Sequence, residues 1–101
     1  MPVTHVVTFT WIDGTTPESV ADIQSRLQSW IDRGEGLEGL LAWQAGVDLG
    51  LAAGNAAYAV SATFTDQDAY ERYRDHPEHR AIISEHVAPR VATRTGVQFA
   101  H

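Results

Sequence analysis

Val3-Thr4-His5-Val6-Val7-Thr8-Phe9-Thr10-Trp11-Ile12 interleaves β-branched and aromatic residues with threonines, the period-two pattern of a strand. Val3, His5, Val7, Phe9 and Trp11 share one face, and Thr4, Val6, Thr8 and Thr10 share the other. Neither face carries a charge. Next along the chain, Asp13-Gly14 makes a turn, and Thr16-Pro17 supplies an N-cap with proline at the first helical position. Val20, Ile23, Leu27, Trp30 and Ile31 then recur at helical spacing as far as Gly34, a C-cap glycine. Residues 40–47 and 57–65 read as two more strands, joined by the small, turn-rich stretch 49–56. Asp66 caps a second helix through Tyr73, the His76-Pro77 step breaks it, and Glu78 to Val87 resumes it until Pro89. A last strand covers 91–99. The order β-α-β-β-α-β is that of an α+β, ferredoxin-like fold: a four-stranded antiparallel sheet with both helices on one face.

The 101 residues make one domain spanning 1–101. A chain of this size buries only roughly two-thirds of its unfolded surface, so a second subunit would add core. The first three strands contain no Asp, Glu, Lys or Arg, whereas a solvated sheet face alternates with charged residues. Ala59, Ser61 and Thr63 extend the uncharged threonine face of the first strand. The expectation is a two-fold homodimer packed through the helix-free sheet face.

A formal charge of −6 argues against nucleic acid or an anionic membrane as partner. Five of the seven basic residues fall within 72–94, but they alternate with Asp75, Glu78 and Glu85 as on a solvated helical face. The amino terminus lacks a basic region followed by an apolar run, and no stretch approaches the length of a membrane span, so the expected compartment is the cytoplasm. There is no cysteine, and every basic residue is arginine. Disulfides, thiolate nucleophiles, Cys-ligated zinc, lysine Schiff bases and the P-loop lysine are thereby removed. Histidine remains as the side chain that titrates near neutrality.

His5 interrupts the apolar face of the first strand, and the plainer reading is a core histidine bonded to a backbone carbonyl. His76 and His79 flank Pro77, where the plainer reading is a helix kink with surface imidazoles. His86 shares the helical face of His79 beside Ile82 and Ile83 and reads as packing. His101 ends the chain and is expected to fray. Metal binding by His5, His76 and His79 is disfavoured by the i, i+3 spacing across a proline, so neither metal nor cofactor is expected.

His5-Val6-Val7-Thr8-Phe9, Gly39-Leu40, Gly46-Val47-Asp48, Phe64-Thr65-Asp66 and above all Tyr73-x-x-His76-Pro77-x-His79 resemble the stress-responsive A/B barrel (Dabb) domain over nearly the whole chain. The resemblance implies a dimeric α/β barrel, with two ferredoxin-like sheets facing each other and the helices outside. One member with known chemistry, olivetolic acid cyclase, is similar at the positions of its active-site set, which fall on His5, Tyr73 and His79. That likeness implies aldol-type cyclisation of an apolar carbonyl compound such as a polyketide, without metal or cofactor. His79 would be the base, Tyr73 its hydrogen-bond partner and His5 a substrate-orienting donor, with Phe9, Trp30 and Phe64 lining the pocket and His76 beside them.

Two readings of function follow. One is a cofactor-free enzyme or binding protein for a small apolar carbonyl compound, which requires a cavity that His5, Tyr73 and His79 all reach. The other is a non-enzymatic stress-response protein whose role is structural or oligomeric, with no such cavity.

Overall fold

β1 (Val3–Trp11) opens the chain in the computed structural model, which describes residues 1–101. Thr16 then caps α1 (Pro17–Arg33) by accepting a hydrogen bond from the Ser19 amide at 3.1 Å. Gly34 ends the helix in the left-handed conformation, with its N–H on the Trp30 carbonyl. Val20, Ile23, Leu27 and Trp30 form its buried stripe. β2 (Leu40–Val47) and β3 (Tyr58–Phe64) follow. Asp66 caps α2 (Gln67–Asp75) through the Ala69 amide. Pro77 forces His76 out of the helical region, to φ −58° and ψ 131°, and α3 (Pro77–Ile82) starts afresh.

The second helical segment stops earlier than its apolar spacing implies. After Ile82 the chain widens into a π-helical turn over Ile83–Val87, then a 3-10 turn over Ala88–Arg90. Pro89 has no N–H with which to extend the helix, and the widened turn delivers the chain into β4 (Val91–Ala100).

The sheet is antiparallel, in the order β2-β3-β1-β4. His5 pairs with Ala62 on one side and Gln98 on the other, and Phe9 with Tyr58 and Arg94. β2 and β4 are each paired on one side only, so the sheet is open. The expected α/β barrel is therefore corrected to an open ferredoxin-like sheet. Four strands in this order leave the edges two strands apart, while a closed barrel whose interior side chains fill takes about eight.

The core lies between β1 and β3 on one side and the helices on the other, with Val7, Phe9, Tyr58, Val60 and Phe64 meeting Ile23, Leu27, Trp30, Tyr73 and Val87. The helices leave β4 uncovered, and its helix-side residues Arg94, Gly96 and Gln98 are exposed. The opposite face is free of helices and of charge on all four strands. Thr4, Val6 and Thr8 run down its centre, Ser61 and Thr63 flank them on β3, and Val97 and Phe99 remain 54% and 48% exposed on β4. Gly39, at φ 89°, sits where β2 meets α2: a Cβ there would lie 2.6 Å from the Ala69 Cβ and 2.7 Å from the Thr65 hydroxyl. His101 does not fray. Its backbone N–H donates to the Pro2 carbonyl, and its ring bonds the Thr4 hydroxyl at 2.7 Å.

Candidate functional site

The alternation of β1 that builds the core also lays His5, Val7, Phe9 and Trp11 in a row beneath the helices. Above them, α2, α3 and the π-helical turn stand off far enough to leave a cavity of about 360 Å³, enough for a small organic molecule. Tyr58 and Val60 extend the floor, Ile23 and Leu27 of α1 close one wall, and Tyr70, Tyr73, Arg74, His79, Ile83 and Val87 form the roof. Val91 and Arg94 border it at β4. One end is aromatic, with Phe9 and Trp11 stacked at 5.6 Å and Tyr58 tilted 5.9 Å from Trp11. The Tyr58 hydroxyl is held by the Gln24 side chain.

Two imidazoles line this space, and their outer bonds settle their tautomers. His79 Nδ1 lies 3.0 Å from the Arg74 carbonyl, which only accepts, so Nδ1 carries the proton and Nε2 keeps its lone pair. His5 Nδ1 accepts from the Gln98 amide at 2.9 Å, so its proton is on Nε2. One ring therefore has a free acceptor and the other a free donor. Burial is the largest cause of a lowered pKa at both. His5, 6% exposed, is pushed down to about 4, with Arg94 and His79 adding to the effect. At His79 the bond to the Arg74 carbonyl opposes burial without cancelling it. Both rings are thus neutral at pH 7.

Tyr73 stands between them, its ring 6.1 Å from that of His5 and 4.8 Å from that of His79. Its hydroxyl accepts from Trp43 Nε1 at 3.2 Å, and burial pushes its pKa up to about 12, so it is a neutral donor. Tyr73 and His79 meet ring to ring, and the hydrogen bond between them implied by the cyclase likeness is not formed.

His5, Tyr73, His79 and Phe9 thus share one cavity, whereas Trp30, Phe64 and His76 lie outside its lining. Trp30 is 1% exposed and stacks behind His79 at 5.3 Å. Phe64 is fully buried with its ring edge-on to Tyr70 and Tyr73. His76 is used by the backbone: Nδ1 accepts from the Glu78 amide, and Nε2 donates to the Glu35 carbonyl, each at 3.1 Å. Sequence reasoning missed Trp11, Tyr58, Tyr70, Arg74, Arg94 and Gln98. Counting by twos from His5 reaches Trp11, so that one was legible; Arg94 and Gln98 reach the site only through the β1–β4 register. No three His, Asp or Glu side chains gather in a group able to hold a metal ion. No helix is long and apolar enough to cross a membrane.

Residues 3–100 match the family model described as the stress responsive A/B barrel domain. A dimeric ferredoxin-like protein of unknown function from Thermobifida fusca YX is 38% identical, with all of this chain and 92% of that one covered and a TM-score of 0.90. The hydroxynitrile lyase of Passiflora edulis shares the fold at 16% identity, covering 97% of this chain and 91% of that one, with a TM-score of 0.79. SnoaB, a cofactor-independent oxygenase from Streptomyces nogalater, does so at 19% identity, 99% and 92% coverage and a TM-score of 0.75. No curated protein matches the chain. The specific likeness to olivetolic acid cyclase is accordingly withdrawn. Part of the run that suggested it serves the fold, since His76 and Pro77 start α3.

Proposed function

Because this chain belongs to the stress responsive A/B barrel domain family, we propose that it is a homodimeric protein whose cavity binds a small apolar carbonyl compound and moves a proton on it by cofactor-free acid/base chemistry. The observation that carries this reading is the pair of neutral imidazoles with opposite free functions on one apolar cavity. His79 Nε2 takes a proton from the carbon next to the carbonyl. The C–H electron pair moves toward the carbonyl, and the oxygen that becomes enolate accepts from His5 Nε2–H, with the Tyr73 hydroxyl as a second donor. A neutral base surrounded by apolar walls keeps water from competing for the proton. The hydroxynitrile lyase and the cofactor-independent oxygenase support the reading to the extent that this fold houses enzymes of small molecules.

The homodimer is supported by the dimeric Thermobifida relative and by the charge-free, helix-free sheet face through which two copies would pack.

The test is exchange of the α-protons of 2-tetralone, a bicyclic ketone, in deuterated buffer at pH 7.5, followed by NMR. The wild-type protein should accelerate exchange, and His79→Ala should remove most of that acceleration. His5→Phe should lower it by about a hundredfold, the worth of one oxyanion donor at the small end of its range. No acceleration by folded wild-type protein overturns the proton-transfer reading. A purely oligomeric role, favoured by the same uncharged sheet face, would then stand.

A further inference from the structure

The rim of the cavity is electrically lopsided in a chain of net charge −6. Its lining includes two arginines and no carboxylate, although the chain holds thirteen Asp and Glu. Arg74 is already neutralised, its guanidinium gripping both oxygens of Asp75 at 2.9 Å. Arg94 is different. The other six arginines each bond a carboxylate or a backbone carbonyl, while Arg94 has neither an ion pair nor a hydrogen bond. It stands on β4 opposite Phe9, and its guanidinium folds back along the strand over Gly96, where an added Cβ would come within 3.3 Å of both terminal nitrogens. That lays the free charge toward Gln98, the residue that holds His5.

We propose that Arg94 is a carboxylate anchor, and that the molecule this cavity takes is an apolar, ring-bearing acid with its ring among Phe9, Trp11 and Tyr58 and its carboxylate on the Arg94 guanidinium. A planar fork with unspent donors pairs with a carboxylate through two parallel bonds, and no acid of the protein competes for it there. The aromatic end of the cavity suits a flat apolar body. The inference rests on the reading of this cavity as a ligand site and adds the charge of the ligand to it.

Calorimetric titration of 2-naphthoate and of its neutral isostere 2-naphthamide into the full chain at pH 7.5 separates the two ideas. Wild-type protein should bind the acid at least about tenfold more tightly than the amide, the worth of a single charge-assisted bond and so the least that a two-bond pair supplies. Arg94→Gln should bring the two level by weakening the acid far more than the amide, and Arg94→Lys should restore part of the difference. Added salt should weaken the acid alone. An acid preference that survives Arg94→Gln, or equal binding of acid and amide to the wild type, overturns the anchor and leaves the cavity reading standing. Binding of neither compound, with His5 and His79 resonances unmoved, overturns both. Arg94 is exposed on an edge strand, and an unchanged melting curve for Arg94→Gln secures the comparison.

Discussion

Burial acts on His5 and His79 alike, lowering both pKa values, but a different partner at each Nδ1 gives the rings opposite functions. The consequence for stability is measurable at His5. Unfolded, the ring binds a proton near its ordinary pKa of 6.5; folded, it refuses one until about pH 4. In that window the unfolded chain holds more protons, so stability rises with pH: it is fully present above about 6.5 and is lost as pH falls toward 4. Urea unfolding from pH 7.5 to 4 should show this decline, and His5→Gln should make it shallower, leaving the part that His79 contributes. An unchanged slope in the variant would show that His5 is not the group responsible. At this scale the sequence was a partial guide. Residue type and parity put His5 and Phe9 on one inward face, and only the family resemblance gave that face a cavity. They could not tell that Trp30 and Phe64 are consumed by packing, because an aromatic on an inward face looks the same whether it touches a cavity or a neighbour.

The broken second helix shows how local chemistry sets an element. Proline at 77 excludes the helical conformation at 76, and His76 turns that break into a cap by accepting from the Glu78 amide while its other nitrogen ties the turn to Glu35. His76→Ala should therefore lower stability by about 1 kcal/mol, the usual worth of a cap, read as a shift in the denaturation midpoint. A shift indistinguishable from zero would deny the cap its role. Gly39→Ala is the harsher change, because the new Cβ would collide with Ala69 and Thr65 at a positive φ. A loss of about 2 kcal/mol or more is expected in the same assay. The break at Pro77 was legible beforehand, being a property of a dipeptide. The π-helical turn at Ile83–Val87 was not, since it balances the end of α3 against the position at which β4 must join the sheet.

For the whole molecule, the open sheet leaves one face covered by helices and one bare. Val6 lies at the centre of the bare face, between Ser61 and Val97. Val6→Lys should bury an unpaired ammonium in any interface formed there and convert a dimer to monomer in sedimentation equilibrium, with the fold retained by circular dichroism. A variant that stays dimeric would move the interface elsewhere. The order of elements, the uncharged strands and the exclusion of thiol and amine chemistry were determined by the sequence alone, because each follows from neighbours a few residues apart or from residues that are absent. The tertiary structure alone decided that the sheet stays open, that a cavity remains under the helices, and that Gln98 and Arg94 stand beside His5 and Phe9. Those facts depend on strand register and on how far two layers stand apart, and such long-range distances are set by the packing of the whole core.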